Sequence, residues 1–107
     1  MKINLKATKV EMTEAISNYI QDKMDMLEKY LGDVQVLNFD VEVERVTLGQ
    51  NKGEVFRMEV NLEVPHELLR VEKTENDLYK AIDKVRDHLE DVIIKYKEKA
   101  RDKRRGK

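Results

Sequence analysis

One long amphipathic segment near the end of the chain most constrains the fold. Asn76 and Asp77 precede it, and both side chains can accept hydrogen bonds from the free amides at a helix start. Apolar residues then recur every three or four positions, which is the spacing of one helix face, at Leu78, Ile82, Val85, Leu89, Val92, Ile93 and Tyr96. The pattern predicts a long helix that buries one face against another layer of structure.

That other layer is predicted to be a β-sheet, because the apolar period elsewhere is two. Turn-forming residues 48–53 separate the second strand from the third, and Pro65 ends the third. The alternating apolar residues of the four strands are Ile3, Leu5 and Ala7 in the first, Leu37, Phe39, Val41 and Val43 in the second, Phe56, Met58, Val60, Leu62 and Val64 in the third, and Leu69 and Val71 in the fourth.

A further helix is predicted over residues 13–31, with Thr13 as N-cap and Gly32 as stop. Its apolar stripe consists of Ile16, Ile20, Met24, Leu27 and Leu31. The order is therefore β-α-β-β-β-α, an α+β fold. Because the strands alternate apolar and polar residues, both helices are expected to pack on one face of a four-stranded sheet and leave the other in water. We expect one domain over residues 1–100 and a basic flexible tail over 101–107.

The composition leaves little material for catalysis. The chain has no cysteine, and its one serine, Ser17, cannot form a nucleophile–base arrangement with either histidine, His66 or His88. It also has no glycine-rich phosphate loop and no set of metal ligands, so we expect a non-enzymatic protein without cofactor, metal or small-molecule substrate. With no secretion signal and no run of about 18 apolar residues, a cytosolic protein without a membrane partner is predicted.

Basic charge is concentrated at the end of the chain. The net charge is only -1, but residues 95–107 contain eight Lys or Arg and two acidic residues. Residues 1–94 therefore have a net charge of -7. A polyanionic partner for the tail would explain this asymmetry. A solvated, frayed terminus explains it equally well.

One flank of the predicted last helix is also basic. At 100° per residue, the residues between about 200° and 300° from Leu78 include Lys80, Lys84, His88, Lys95 and Lys99. Such a flank can follow a phosphate backbone, and Arg101 would extend it into the tail. Asp87 and Asp91 supply acidic partners one turn away, so a salt-bridged solvated face explains the same pattern. Both interpretations remain open on the residues alone.

Two other surfaces are candidates for binding. Tyr79 lies at the edge of the apolar stripe, where it either closes the core or stacks on a nucleobase. The polar face of the sheet would recruit a basic protein partner, or an edge strand would pair with a second copy of the chain. This acidic face comprises Glu42, Glu44, Glu59 and Glu63, and it gives an alternative function as a protein interaction module without RNA.

Four short runs resemble one known family. They are Val10–Ala15 (VEMTEA), Leu27–Tyr30 (LEKY), Asn76–Asp83 (NDLYKAID) and Lys95–Lys99 (KYKEK). Together they resemble the ribosome hibernation promoting factor and ribosome-associated inhibitor family, also called the sigma-54 modulation protein family. The resemblance covers nearly the whole chain.

The resemblance implies a domain similar to a double-stranded RNA binding domain that binds the small ribosomal subunit and its ribosomal RNA at the decoding channel. There it would exclude messenger and transfer RNA and silence ribosomes in stationary phase or stress. Both helices would contact RNA, at Lys23, Lys84, Lys95, Lys97 and Lys99.

The resemblance also has departures and an open question of length. His88, Asp91 and Met26 stand where relatives usually carry basic residues. Longer members add a C-terminal dimerisation domain that pairs ribosomes. We therefore expect this chain to be a short form or the N-terminal domain of a long form, with a homodimer or paired ribosomes in the second case.

Overall fold

A computed structural model of the chain describes residues 1–47 and 53–104. The predicted α+β class and the four strands are confirmed, and the predicted first helix is divided into two. The turn over 48–53 lies outside the described residues except for Gly53. The elements are β1 (Asn4–Thr8), α1 (Glu14–Asp25), α2 (Glu28–Leu31), β2 (Asn38–Thr47), β3 (Glu54–Val64), β4 (Glu67–Glu75) and α3 (Leu78–Arg104).

The four strands form one mixed sheet in the order β1-β2-β3-β4. β1 pairs in parallel with β2, whereas β2–β3 and β3–β4 are antiparallel. The register aligns Leu5, Val41, Val60 and Val71 in one row across the sheet. Since side chains opposite one another point to the same face, this row and its neighbours form the apolar face that the helices cover.

The three helices cover that face and complete a single core. Burial of each large apolar side chain contributes about 1.5 to 3 kcal/mol, so the predicted stripes account for most of the packing. Val92 and Tyr96 are partly buried. The fully buried residues supplied by the helices are Ile20, Met24, Leu27, Leu31, Ala81, Ile82, Val85, Leu89 and Ile93.

The chain bends between α1 and α2, and the prediction of one continuous helix over 13–31 is wrong in this respect. Thr13 is the N-cap as predicted, because its hydroxyl accepts a hydrogen bond from the Ile16 amide at 3.2 Å. At the bend, the Leu27 amide donates to the Met24 carbonyl at 3.0 Å, three residues back instead of four. This tighter step accompanies complete burial of Leu27.

Two residues predicted to lie in the core are exposed. Leu37 precedes β2 and is 49% exposed, although its amide donates to the Glu63 carbonyl at 2.8 Å. Ala7 is exposed near the end of β1. β1 is an edge strand, so its side chains have neighbouring strand residues on one side only.

Helix α3 is longer than the apolar stripe predicted. It continues through residues 101–104 and therefore crosses the expected domain boundary at residue 100. No glycine or proline occurs between Leu78 and Gly106, and Lys and Arg are favourable at the C-terminal end of a helix dipole. Residues 105–107 of the predicted tail lie outside the described residues.

The open face of the sheet carries an ion-pair network centred on Arg57. Glu42, Glu59 and Glu72 lie side by side across three strands, an arrangement that is destabilising by itself. The Arg57 guanidinium lies 2.8 Å from carboxylates of Glu44 and Glu72, 3.1 Å from Glu59 and 3.6 Å from Glu42. Only 20% of the Arg57 side chain is exposed, so this arginine holds the glutamates together.

Glu59 shows the electrostatic effect of this network. Its partial burial acts to raise the pKa, but hydrogen bonds from Arg57 and Arg70 outweigh burial and hold the pKa below its ordinary value of 4.5. A depressed carboxyl pKa means that the stabilisation is present above the ordinary value and is lost as the pH falls through the folded-state pKa.

We therefore predict that Arg57→Met lowers the free energy of unfolding by about 2 kcal/mol at neutral pH. The loss should shrink as the pH falls toward about 4, because protonation neutralises the glutamates that Arg57 pairs with. Urea unfolding at neutral and mildly acidic pH measures it. An Arg45→Met variant is the control, since Arg45 pairs only with Glu54 among the described residues, at 3.2 Å. Equal losses in the two variants at both pH values would contradict the prediction.

Candidate nucleic-acid interface

One flank of α3 lies beside β4. Lys84 Nζ is 2.8 Å from the Glu75 carboxylate and Lys99 Nζ is 3.1 Å from that of Glu67. Both glutamates belong to β4. His88 also faces this side, where it lines a shallow depression with Lys84 and three other residues, Lys73, Asp87 and Asp91.

The opposite flank of α3 faces α1 and α2. Tyr19 of α1 contacts Tyr79 and Asp83, near the start of α3, whereas the Tyr30 carbonyl of α2 accepts from Lys97, near its end. A later residue of the α1–α2 segment thus contacts a later residue of α3, so α3 and the α1–α2 segment run in the same direction. α3 therefore has one flank toward β4, one toward the other helices, and a surface between them that faces solvent.

The basic residues predicted to bind RNA do not form one patch. Lys84, His88 and Lys99 lie on the β4 flank. Lys23 and Lys97 lie on the opposite flank: the Lys23 ammonium is 3.4 Å from the Asp83 carboxylate and 5.3 Å from the centre of the Tyr19 ring. The candidate interface is thus a surface spanning two helices and not a single stripe.

The most accessible cations of α3 are those that neither flank engages in an ion pair. Lys80, Lys95 and Arg101 are exposed, and within the described ranges no carboxylate lies within ion-pair distance of them. Lys84 and Lys99 are engaged by β4 but remain 53% and 58% exposed. Exposed ion pairs contribute at most about 1 kcal/mol, so a phosphate can replace the glutamates.

Two further basic residues, Lys73 of β4 and Arg86 of α3, were not among the residues predicted to bind RNA. Lys73 follows Leu69 and Val71 at two-residue spacing, so the alternation of β4 could have placed it on the side of α3. Arg86 is only 12% exposed, and its guanidinium bonds Asp87 at 2.9 Å and Glu90 at 2.8 Å. Burial acts to lower the pKa of Arg86, but the hydrogen bond that its guanidinium donates to Glu90, together with the other acidic contacts, raises it overall. Arg86 is therefore an internal ion-pair partner.

Lys97 caps α2. Its ammonium donates to the Tyr30 carbonyl at 2.9 Å, where the last carbonyls of a helix lack intrahelical partners. It also lies against Gly32, which has φ of 58° and where an added Cβ would be 3.3 Å from Lys97 Nζ. A cation at a helix C-terminus is favourable, so Lys97 joins α2 to α3.

We predict that Lys97→Met lowers the free energy of unfolding by about 1 kcal/mol. The aliphatic stem is retained, but the capping hydrogen bond and the charge near the end of α2 are lost. Thermal unfolding should show a decrease in Tm of about 5 °C. Lys95→Met is the matched control on the same helix. Because the Lys95 side chain is exposed and has no ion-pair partner among the described residues, this substitution should change stability by less than about 0.5 kcal/mol. Equal effects of the two substitutions would refute the capping role.

A cluster of two tyrosines and a carboxylate joins the beginning of α3 to α1. The Tyr19 hydroxyl donates to Asp83 Oδ1 at 2.6 Å, and the Tyr19 and Tyr79 rings meet edge-to-face with centres 4.8 Å apart. The hydrogen bond to Asp83, together with partial burial and nearby negative charge, raises the pKa of Tyr19 from 10.0 to about 12. The sequence had not singled out Tyr19, because its partner is distant along the chain.

We predict that Tyr19 remains protonated up to a pH near 12. The raised pKa favours the neutral phenol in the folded state, so its contribution to stability is complete below pH 10.0 and is lost as the pH rises toward about 12. Ultraviolet titration of the tyrosines should show a late ionisation that is absent from Tyr19→Phe. Tyr96→Phe, which removes the hydroxyl bonded to the Pro65 carbonyl, should leave that late ionisation in place. Its persistence in Tyr19→Phe would contradict the assignment.

Comparison with known proteins identifies the family. Residues 3–101 match the model of the family described as Sigma 54 modulation protein / S30EA ribosomal protein. The chain belongs to this family. The resemblance in the sequence is thereby confirmed, and this S30EA domain includes all seven elements of the structure, apart from the last turn of α3.

Three relatives of the S30EA domain are named ribosome hibernation promotion factor. That of Lactococcus lactis subsp. cremoris is 36% identical over 91% of this chain and 50% of its own length. The Deinococcus radiodurans protein is 32% identical over 87% and 47%, and the Staphylococcus aureus protein is 30% identical over 100% and 54%. The chain thus spans about half the length of these relatives.

Solved structures share the fold of this S30EA domain. The Thermus thermophilus Protein Y N-terminal domain has a TM-score of 0.70 at 30% identity, covering 90% of this chain and 99% of that one. A ribosomal subunit interface protein from Coxiella burnetii has a TM-score of 0.72 at 19% identity, covering 92% and 99%. The second likeness shows the fold alone. In the part of the S30EA domain that the structure describes, no helix has the length and apolar character needed to cross a membrane.

Proposed function

We propose that the chain is a non-catalytic ribosome hibernation factor that binds the small ribosomal subunit through its ribosomal RNA and inhibits translation. The match to the S30EA family over residues 3–101 carries this proposal. Three relatives that are at least 30% identical bear the name ribosome hibernation promotion factor. The exposed cations of α3 supply the chemistry that a polyanionic partner requires.

The proposed RNA-binding surface is centred on the exposed cations of α3 that have no carboxylate partner among the described residues. Lys80 and Lys95 are the first contacts, because phosphate does not have to displace a carboxylate from them. Lys84, His88, Lys99 and Arg101 extend the surface toward β4 and the end of the helix, and Lys23 extends it toward α1. Lys97 is the exception among the predicted contacts: its ammonium is engaged by α2, so we assign it a positioning role in the binding surface.

The proposed site of action is the decoding channel, in the cytoplasm, during stationary phase or stress. A folded domain lodged there would exclude messenger and transfer RNA by occupying their space, and no chemical step would be needed. In a longer protein of the size of the three relatives, this domain would attach to the ribosome, and any pairing of proteins or ribosomes would depend on the remaining length.

The acidic face of the sheet is a weaker basis for function. Glu42, Glu44 and Glu59 already contact Arg57, and Glu59 also bonds Arg70. A basic protein partner would have to replace contacts that the domain makes internally. This internal neutralisation favours the α3 surface over the protein interaction module.

Cosedimentation with vacant small ribosomal subunits at increasing salt tests the proposal. The bound fraction should fall with salt, and the double variant Lys80→Gln/Lys95→Gln should reduce the slope of log K against log salt by roughly 1.4 to 1.8, about 0.7 to 0.9 for each lost phosphate contact. Lys2→Gln/Lys6→Gln is the matched control, because it removes equal charge from exposed positions at the opposite edge of the protein.

Two outcomes would overturn the proposal. Failure of the wild-type chain to cosediment at low salt would show that it does not bind the small ribosomal subunit. Equal losses in the two double variants would show that net charge and not the α3 surface determines binding. Far-ultraviolet circular dichroism of each variant establishes that the fold is intact.

A further inference from the structure

Tyr79 is an exposed aromatic residue in the first turn of α3. Its side chain is 40% exposed, and it is the only aromatic among the large exposed apolar residues of the described chain, which otherwise are Met26, Leu37, Leu68 and Ile94. An aromatic ring that is only partly covered offers a flat apolar surface to a partner. The position of Tyr79 next to Lys80 places this ring at the margin of the proposed RNA-binding surface.

The ring of Tyr79 packs against a neighbouring ring, and the backbone at Tyr79 is held as well. It packs against Tyr19 at a centre-to-centre distance of 4.8 Å and an interplanar angle of 83°. Tyr19 is in turn held by its 2.6 Å hydrogen bond to Asp83. The Tyr79 backbone amide donates to Asp77 Oδ1 at 2.9 Å, which holds the first turn of the helix. Binding of a partner to this ring therefore costs little conformational entropy, because the ring is already held in place.

The charges beside the ring suit a nucleotide. Lys80 is exposed and has no ion-pair partner within residues 1–47 and 53–104. Lys23 lies against the neighbouring Tyr19, 5.3 Å from the centre of its ring, and also pairs with Asp83. A base that lies on Tyr79 would thus bring its own phosphates close to Lys80 and within reach of Lys23. An apolar protein segment would gain nothing from these two cations.

From this arrangement we propose that Tyr79 is a stacking platform for one unpaired nucleobase of RNA, with Lys80 as the contact to the adjoining phosphate. The inference rests on the proposed function and adds the kind of RNA that is recognised. Bases within an A-form duplex are stacked on one another and cannot lie on a protein ring, whereas a bulged or single-stranded base can. Tyr79 would therefore direct the domain to RNA with an unpaired nucleotide.

Two RNA hairpins that differ by a single unpaired adenosine test this proposal. The wild-type chain should bind the bulged hairpin about tenfold more tightly than the fully paired one. Tyr79→Phe should keep that preference, because the ring remains. Tyr79→Leu should lose it while binding the paired hairpin as well as the wild type does, because leucine retains apolar bulk and helix propensity without an aromatic face. Lys80→Gln should weaken binding to both hairpins.

Each result of this experiment decides the point. Equal affinity of the wild type for the two hairpins, or no binding to either, overturns the role of Tyr79, and so does retention of the preference by Tyr79→Leu. Tyr79→Met provides a second non-aromatic side chain if the leucine variant fails to fold. Cosedimentation of the wild type with small ribosomal subunits is scored separately. A chain that cosediments but does not discriminate between hairpins retains its proposed function and lacks the stacking site.

Discussion

Burial of the apolar face of α3 on the sheet is the constraint on which the rest of the structure depends. Leu89 and Ile93 are completely buried, and each such side chain contributes about 1.5 to 3 kcal/mol. Rotation of α3 about its axis would expose several of them at once, so the helix has a single rotational setting. Since successive residues differ by 100°, this setting determines which side chains face β4, which face α1 and α2, and which face solvent.

Local periodicity was sufficient to predict the elements but not the breaks within them. The stripe from Ile16 to Leu31 continues through the bend, because Met24 before it, Leu27 at it and Leu31 after it are all buried. The bend itself is a change from a four-residue to a three-residue hydrogen bond at Met24, which leaves no signature in the apolar spacing. The apolar spacing does not mark the end of α3 either, because the stripe stops at Tyr96 and the remaining helix is polar.

The candidate site was only partly predictable because charge partners come from distant segments. The helical wheel placed Lys84 and Lys99 on one flank, as observed, but it could not supply Glu75 and Glu67 of β4. The same wheel puts Lys97 about 100° from Leu78, away from that flank. Its partner, the Tyr30 carbonyl, is 67 residues earlier in the chain. The helical wheel therefore predicted one basic flank of α3 but not how the fold divides the basic residues between two sides of the helix.

This division separates binding from stability. Exposed pairs such as Lys84 with Glu75 contribute at most about 1 kcal/mol, so a phosphate can take the place of the glutamate with little loss to the fold. Lys97 and Arg57 differ, because Lys97 caps the end of α2 and Arg57 offsets the repulsion between neighbouring glutamates. Under the proposed function, substitutions of the exposed lysines of α3 should consequently alter RNA affinity, whereas those facing α2 or the centre of the sheet should alter folding first. Both kinds of lysine lie on α3, and its single rotational setting keeps the exposed lysines toward solvent and Lys97 toward α2.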